Sequence, residues 1–240
     1  MEDGFYQVTT PYLCAGFIVE NNRIIRCAPI LKKNINYWKS KAKRIMETSK
    51  ELWVDTETTG LLPGIHGVYQ VAGKIIISGE VKDEFNLLTR PLPGSKISSK
   101  AEETAHYTIE EMIKFPKPHI QLSKLNGLLG KYVDKYNRDD KFIMYGYNVR
   151  FDYDHLRAWY EALGDKYIGS FIFFPPVDIM NLAAWKLRNI RNQLDNFKLP
   201  TVAQFLGVTG MDDNQDHDAL YDITITREVY LKLREYPDSI

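Results

Sequence analysis

A chain of 240 residues, 44% of them apolar, is long enough for one globular core with a small appendage. Its 31 basic and 31 acidic residues cancel, so attraction to nucleic acid cannot come from overall charge, only from where the charges lie. No uninterrupted apolar run could cross a bilayer, and Met1-Glu2-Asp3-Gly4 lacks the basic and apolar regions of a secretory leader. A cytoplasmic protein with no membrane partner is therefore expected, in the host cytoplasm if the source is viral. Cys14 and Cys27 form no metal-ligand pattern and fit reduced thiols.

Residues 1–49 read as an appendage to a domain spanning residues 50–240. Tyr12–Val19 and Arg23–Ile30 flank Glu20-Asn21-Asn22, and Asn tolerates the positive φ of a tight hairpin turn. With Asn21-Asn22 as a two-residue loop, Gly16 should face Cys27, making Cys14 and Cys27 diagonal neighbours on one face. Arg23, Arg26, Lys32, Lys33, Lys39, Lys41, Lys43 and Arg44 follow without one acidic residue, with Tyr37 and Trp38 among them. Cations interleaved with aromatics suit a nucleic-acid backbone and its bases, or an acidic partner. The same pattern also describes a solvated helix whose basic face keeps it in solution.

Leu52-Trp53-Val54 reads as the end of a buried strand that continues into Asp55-Thr56-Glu57-Thr58-Thr59-Gly60-Leu61. Strand alternation puts Asp55 and Glu57 on one face. Like charges buried side by side are costly unless cations neutralise them, and hard oxygen ligands favour Mg²⁺ or Mn²⁺. Taken alone, Asp-x-Glu equally describes a solvated strand end or a helix cap.

Val68–Ile77 reads as a second strand, Ser78-Gly79-Glu80 as a turn, and Val81–Thr89 as a third strand. Ser99–Ile113 is expected to be helical, and Leu122, Leu125, Leu128, Leu129, Tyr132, Val133 and Tyr136 fall at helical spacing. His66, His106 and His119 have no carboxylates arranged around them and read as structural or exposed. A strand over Lys141–Tyr145 runs into Gly146-Tyr147-Asn148-Val149-Arg150-Phe151-Asp152, where a helix begins and ends before Gly164. Asp152 can serve there as a helix N-terminal charge, and His155 reads as a packing residue. Asp178 suits the N-cap of a helix over Ile179–Trp185 and is given no chemistry. Lys186–Asn196 reads as an exposed basic connection, and Thr201 as the cap of a short helix through Leu206. His217-Asp218-Ala219-Leu220-Tyr221-Asp222 opens the last helix.

The order Asp-x-Glu on a strand, Asn-x-x-Phe-Asp at a later strand-helix junction and His-x-Ala-x-x-Asp on the last helix resembles the DEDDh-type, DnaQ-like 3′→5′ exonucleases. The resemblance runs from about Leu52 to Leu233. It implies an α/β, ribonuclease H-like fold: a mixed five-stranded sheet flanked by helices, with the small N-terminal β-hairpin as an appendage. Tyr147 departs from the many relatives with His before the Asn, which bears on substrate shape more than on the reaction.

Carried onto this chain, the resemblance implies that Asp55, Glu57, Asp152 and Asp222 hold two divalent cations, Mg²⁺ or Mn²⁺, with Asp55 bridging them. It implies His217 as general base, main-chain groups near Thr58 at the terminal 3′-hydroxyl, Leu61 as a wedge beside the last base, and Asn148 and Phe151 lining the terminal nucleotide. The expected partners are 3′ ends of single-stranded DNA or RNA, with a DNA polymerase or another replication or repair protein docking through residues 1–49. The motifs do not separate DNA from RNA. A role mainly as a docking subunit, or as a silent binding module, belongs to a different functional class; the presence of all five catalytic residues argues against the second.

Overall fold

The computed structural model describes residues 4–10, 13–20, 23–27, 49–165, 167–208 and 218–237. Backbone contacts divide the chain into two compact units, Met1–Ser49 and Lys50–Ile240. The first holds β1 (Gly4–Thr10), β2 (Leu13–Glu20) and β3 (Arg23–Cys27) as an antiparallel sheet in that order. The hairpin expected from Asn21-Asn22 is therefore joined by a third strand. Its register also differs from the expectation. Glu20 pairs with Arg23, but a bulge between Ile18 and Val19 slips the pairing by one residue, so Phe17 rather than Gly16 lies opposite Cys27 and Thr9 lies opposite Cys14. Most of the basic stretch, including Lys32, Lys33, Tyr37, Trp38, Lys39, Lys41, Lys43 and Arg44, lies outside the described residues.

The second unit is built on a five-stranded sheet in the order β6-β5-β4-β7-β8, formed by β4 (Lys50–Thr58), β5 (Val68–Ile77), β6 (Glu80–Leu88), β7 (Phe142–Gly146) and β8 (Ile172–Asp178). β4, β5 and β6 form an antiparallel meander, and β7 and β8 run parallel to β4. Antiparallel neighbours need only a short turn. The one between β5 and β6 uses Ser78 (φ 53°) and Gly79 (φ 84°), the left-handed pair a tight hairpin requires. Parallel strands need a crossover, and α3 (Pro118–Leu129) and α4 (Val149–Ala162) supply it.

Alternation along β4 divides the interior into two cores. Leu52 and Val54 pack with Leu122, Leu125 and Leu129 of α3 and with Val149, Leu156 and Trp159 of α4. Trp53, pointing the other way, packs with residues of α5 (Ile179–Lys186), α6 (Leu199–Phe205) and α7 (Ala219–Glu235), among them Ile179, Val202, Ile223 and Val229. Its ring stacks on Tyr145 at 4.8 Å and meets Tyr230 at 5.4 Å, which seats α7 against the sheet.

Three local expectations give way to side-chain competition for backbone groups. The segment Ser99–Ile113 splits into α1 (Ser99–Thr104) and α2 (Ile109–Met112), because Thr108 and Glu111 form a capping box that starts a new helix. α3 stops at Leu129 although Tyr132, Val133 and Tyr136 continue its spacing: Asp134 and Asn137 side chains accept from the Tyr136 and Asp139 amides and turn the chain, leaving Tyr136 87% exposed. Thr201 is not a cap. α6 begins two residues earlier with Pro200 in its first turn, and the Thr201 hydroxyl donates to Asn196 Oδ1 at 2.8 Å.

Gly146 is where β7 passes closest to β4. A Cβ there would lie 2.9 Å from the Val54 carbonyl oxygen and 2.9 Å from Val149 Cγ2. Gly146→Ala should therefore cost about 1–3 kcal/mol through overpacking and lower the Tm by about 3–10 °C. A thermal melt followed by circular dichroism checks this, and an unchanged Tm would mean that the two strands can separate freely.

Candidate active site

The strands that carry the sheet's central pair end side by side, and the acidic residues gather there. Asp55 and Glu57 follow Trp53 at alternate positions on β4, so they share its face and look toward α7. Asp222 sits in the first turn of α7 and Asp152 in the first turn of α4, positions where the helix macrodipole favours a carboxylate. Thr56, between the two β4 acids, points to the α4 side. Its amide (2.9 Å) and its hydroxyl (2.8 Å) both donate to Asp152 Oδ1, tying strand to helix across 96 residues of sequence.

These carboxylates strongly perturb one another. Burial first, then the charges of Asp152, Glu57, Asp222 and Asp218, push Asp55 well above the ordinary carboxylate range. Burial and then Asp222 raise Glu57 to about 8, partly offset by the Tyr69 hydroxyl, which donates to Glu57 Oε2 at 3.4 Å. Burial raises Asp152 to about 7 against the two Thr56 hydrogen bonds, which favour its ionised form. Among the described residues no group of three or more His, Cys, Asp or Glu side chains is gathered closely enough to hold a metal ion as it stands. The donor types nevertheless suit hard cations: every group is a carboxylate, and the charges of Asp152 and Asp222 both oppose the ionisation of Asp55 and Glu57.

The residues expected to hold the substrate lie around this cluster. Beyond β4 the loop is pinned by Thr59, whose amide donates to the Gly67 carbonyl (2.8 Å) and whose hydroxyl donates to the Lys96 carbonyl (2.7 Å). The Thr58 hydroxyl donates to the Gly60 carbonyl at 2.8 Å, and Leu61 projects with 74% of its surface exposed. Asn148 precedes α4 in the left-handed region (φ 57°), and its amide donates to Asp178 Oδ1 at 3.1 Å. The Phe151 ring packs 4.2 Å from that of His155. Buried His155 holds its Nδ1 at 3.1 Å from the Phe151 carbonyl, and burial keeps its ring below the ordinary imidazole range. On the α7 side, a cleft of about 560 Å³ is lined by Gln70, His106, Tyr107, Asp218, Tyr221 and Thr224. His217 lies outside the described residues.

Several participants carry no motif of their own. Thr56 is hidden inside Asp-x-Glu, and Tyr69 reads as an ordinary strand residue. Asp218 reads as the cap of α7, which it is, accepting from the Leu220 and Tyr221 amides, yet its charge also reaches Asp55 and Glu57. Asp178 caps α5 through the Met180 and Asn181 amides, as expected, and in addition holds Asn148.

The family model for exonucleases of the RNase T type matches residues 52–230, about three quarters of the chain. The chain belongs to this family. Its domain has the ribonuclease H-like, DnaQ-type architecture, and this family generally uses divalent metal ions. Among curated proteins, the DNA polymerase III PolC-type of Thermotoga maritima is 29% identical over 187 residues, covering 78% of this chain and 12% of the polymerase. That of Thermotoga petrophila is 25% identical over 224 residues, covering 93% of this chain and 14% of the polymerase. This exonuclease-family chain thus spans about an eighth of the length of those relatives. Solved structures of E. coli exonuclease I share the fold. Its zinc-bound complex with single-stranded DNA has a TM-score of 0.60 and 21% identity, covering 78% of this chain and 40% of that one. A complex with a dT13 oligonucleotide has a TM-score of 0.62 and 18% identity, covering 78% and 41%. Among the described residues no helix is long and apolar enough to cross a membrane.

The raised carboxylates give stability a definite pH dependence. Glu57 and Asp152 bind protons in the folded chain at pH values where the unfolded chain has lost them, so without added cations stability should fall as pH rises from about 6.5 through 8. Below about pH 6.5 His155 works in the opposite sense, because its depressed value makes the unfolded chain the better proton acceptor. Melts in EDTA should show a higher Tm at pH 6.5 than at pH 8.5, with Asp55→Asn narrowing the gap by raising the value at pH 8.5. A Tm that rises between those pH values would show that the acids ionise without penalty.

Proposed function

We propose that this chain is a 3′→5′ exonuclease that uses two divalent cations, Mg²⁺ or Mn²⁺, to hydrolyse the terminal phosphodiester of single-stranded or frayed nucleic acid, with DNA favoured over RNA. The observation that carries the reading is the gathering of Asp55, Glu57, Asp152 and Asp222 at one sheet end, where the charges of Asp152 and Asp222 oppose the ionisation of both Asp55 and Glu57. Four carboxylates balance two divalent cations, and such cations supply Lewis acidity at the phosphate and a more acidic water. Asp55 lies between Glu57, Asp152 and Asp222 in its electrostatic contacts, which supports it as the bridging ligand.

The chain's own residues do the rest. Thr56 holds Asp152 in place with two hydrogen bonds. Main-chain groups near Thr58 receive the terminal 3′-hydroxyl, exposed Leu61 wedges beside the last base, and Asn148 and Phe151 line the terminal nucleotide. His217, just ahead of the helix that carries Asp222, accepts a proton from the attacking water. Water adds to phosphorus in line with the departing oxygen, the bond to that 3′ oxygen breaks, and the terminal residue leaves as a nucleoside 5′-monophosphate. Surfaces that stack on any base favour little sequence preference. The preference for DNA draws support from relatives named as DNA polymerases and from exonuclease I bound to single-stranded DNA. The same polymerase relatives favour a second role, docking on a polymerase or another replication or repair protein through residues 1–49.

Labelled DNA and RNA oligomers of matched sequence, with product sizes followed in time, test the reaction directly. Stepwise shortening from the 3′ end that stops in EDTA is expected, with DNA the faster substrate; full hydrolysis by metal-stripped enzyme in excess chelator would end the metal reading. Asp55→Ala or Asp222→Ala should abolish hydrolysis with the circular dichroism spectrum unchanged and should remove the rise in Tm that millimolar Mn²⁺ brings to the wild type. His217→Ala should slow single-turnover hydrolysis by about 10²–10⁴-fold at saturating metal and substrate and lose the acid limb of the pH-rate profile. Equal rates and limbs in both proteins would make His217 a bystander.

A further inference from the structure

The segment Trp185-Lys186-Leu187-Arg188-Asn189-Ile190-Arg191-Asn192-Gln193-Leu194-Asp195-Asn196-Phe197-Lys198 carries four cations against one acid. Its apolar residues divide by direction. Leu187 is fully buried, and Ile190, Leu194 and Phe197 pack against the α7 core, whereas Trp185 is 53% exposed and Arg188 and Arg191 are exposed. The exposed cations lie over aromatic rings. The Arg188 guanidinium lies 5.1 Å over the Trp185 ring, held there by a 2.8 Å hydrogen bond to the Trp185 carbonyl, and Lys186 Nζ lies 5.6 Å from the same ring. Arg191 lies 5.5 Å over Phe197.

This strip is anchored beside the residues that flank the active site. The Tyr147 hydroxyl, one residue before Asn148, donates to the Phe197 carbonyl at 2.6 Å. Asp178, which holds the Asn148 amide, caps the start of α5, whose last turn carries Trp185, so Trp185 stands about 10 Å along that helix from the Asn148 contact. A polyanion approaching a cluster of carboxylates needs local positive charge, and a chain of zero net charge must concentrate it. Cation-backed aromatic faces meet both phosphate and base.

We propose that Trp185, Arg188 and Arg191, the last braced on the Phe197 ring, form a track for the 5′ continuation of a single-stranded nucleic acid whose 3′ end lies at the carboxylates. This extends the exonuclease reading above, from the reacting nucleotide to the ones behind it. The partner is recognised by phosphate charge and base stacking, so the track is insensitive to sequence.

The test is fluorescence anisotropy with 5′-labelled dT4, dT8 and dT16 over 50–200 mM salt, in the full chain carrying Asp55→Ala to prevent cleavage. In this parent, affinity should rise with length. Adding Trp185→Ala should weaken dT16 binding about tenfold while Trp185→Phe, which keeps an aromatic face, stays within about threefold. Adding Arg188→Ala and Arg191→Ala together should flatten the slope of log affinity against log salt by about 1.4, two phosphate contacts at about 0.7 each. Thermal melts establish that these exposed substitutions leave the fold in place. If the wild type shortens 3′ ends yet every variant binds like the parent, the track is overturned and the exonuclease reading stands. Loss of length-dependent binding in the variants of a chain that hydrolyses nothing would support the track and remove the reading.

Discussion

Two hydrogen bonds from one threonine to one carboxylate oxygen hold the candidate site together. Thr56 lies on the opposite face of β4 from Asp55 and Glu57, and it brings Asp152 from α4 to the end of the same strand. Without that tie, acids on two sides of a sheet would move apart, because the Asp152 charge raises the cost of ionising both Asp55 and Glu57. A buried array of like charges is stable only as far as surrounding groups compensate it. Here the compensation comes from Thr56, the Tyr69 hydroxyl and two helix N-termini, and it is incomplete. The remaining imbalance is what suits the site to divalent cations and to the phosphate they would carry.

The surroundings are built to keep this arrangement from relaxing. β4 is the middle strand, and its apolar residues are shared between two cores, so the strand cannot tilt toward either layer without opening the other. The Trp53, Tyr145 and Tyr230 rings lie on the same face as the β4 acids and link α7 to β4 and β7. On the α4 side, His155 packs on Phe151, and His66 accepts from the Leu62 amide at 2.9 Å to brace the loop that presents Leu61. A Cβ at Gly60 would lie 2.3 Å from the His66 ring, so the loop closes only around a glycine.

Charge is arranged by location rather than by amount. The acids are gathered at strand ends and helix starts, where cations or backbone dipoles can meet them, and cations recur with aromatics between Trp185 and Lys198. On the function proposed above, that separation within a neutral chain would give a phosphodiester both a place to bind and a place to react.

Strand alternation and the three short motifs are enough to place Asp55 and Glu57 on one face, Asp152 at a strand-helix junction and Asp222 on the last helix, because each depends on spacing along a few residues. The five-stranded mixed sheet follows from the same motifs through family resemblance, and the antiparallel meander joined by parallel strands agrees with it, whereas strand order and register come from the structure alone. Other features arise only when distant segments meet. The bulge that moves Phe17 opposite Cys27, the early end of α3 and the start of α6 before Thr201 are decided by competition among nearby groups for the same backbone amides and carbonyls. Thr56 reaching Asp152, Asp178 holding Asn148 and Tyr147 holding Phe197 depend on contacts across 96, 30 and 50 residues. No local pattern records those distances, since a hydrogen bond depends on where two chain segments lie in space and not on how far apart they are in sequence.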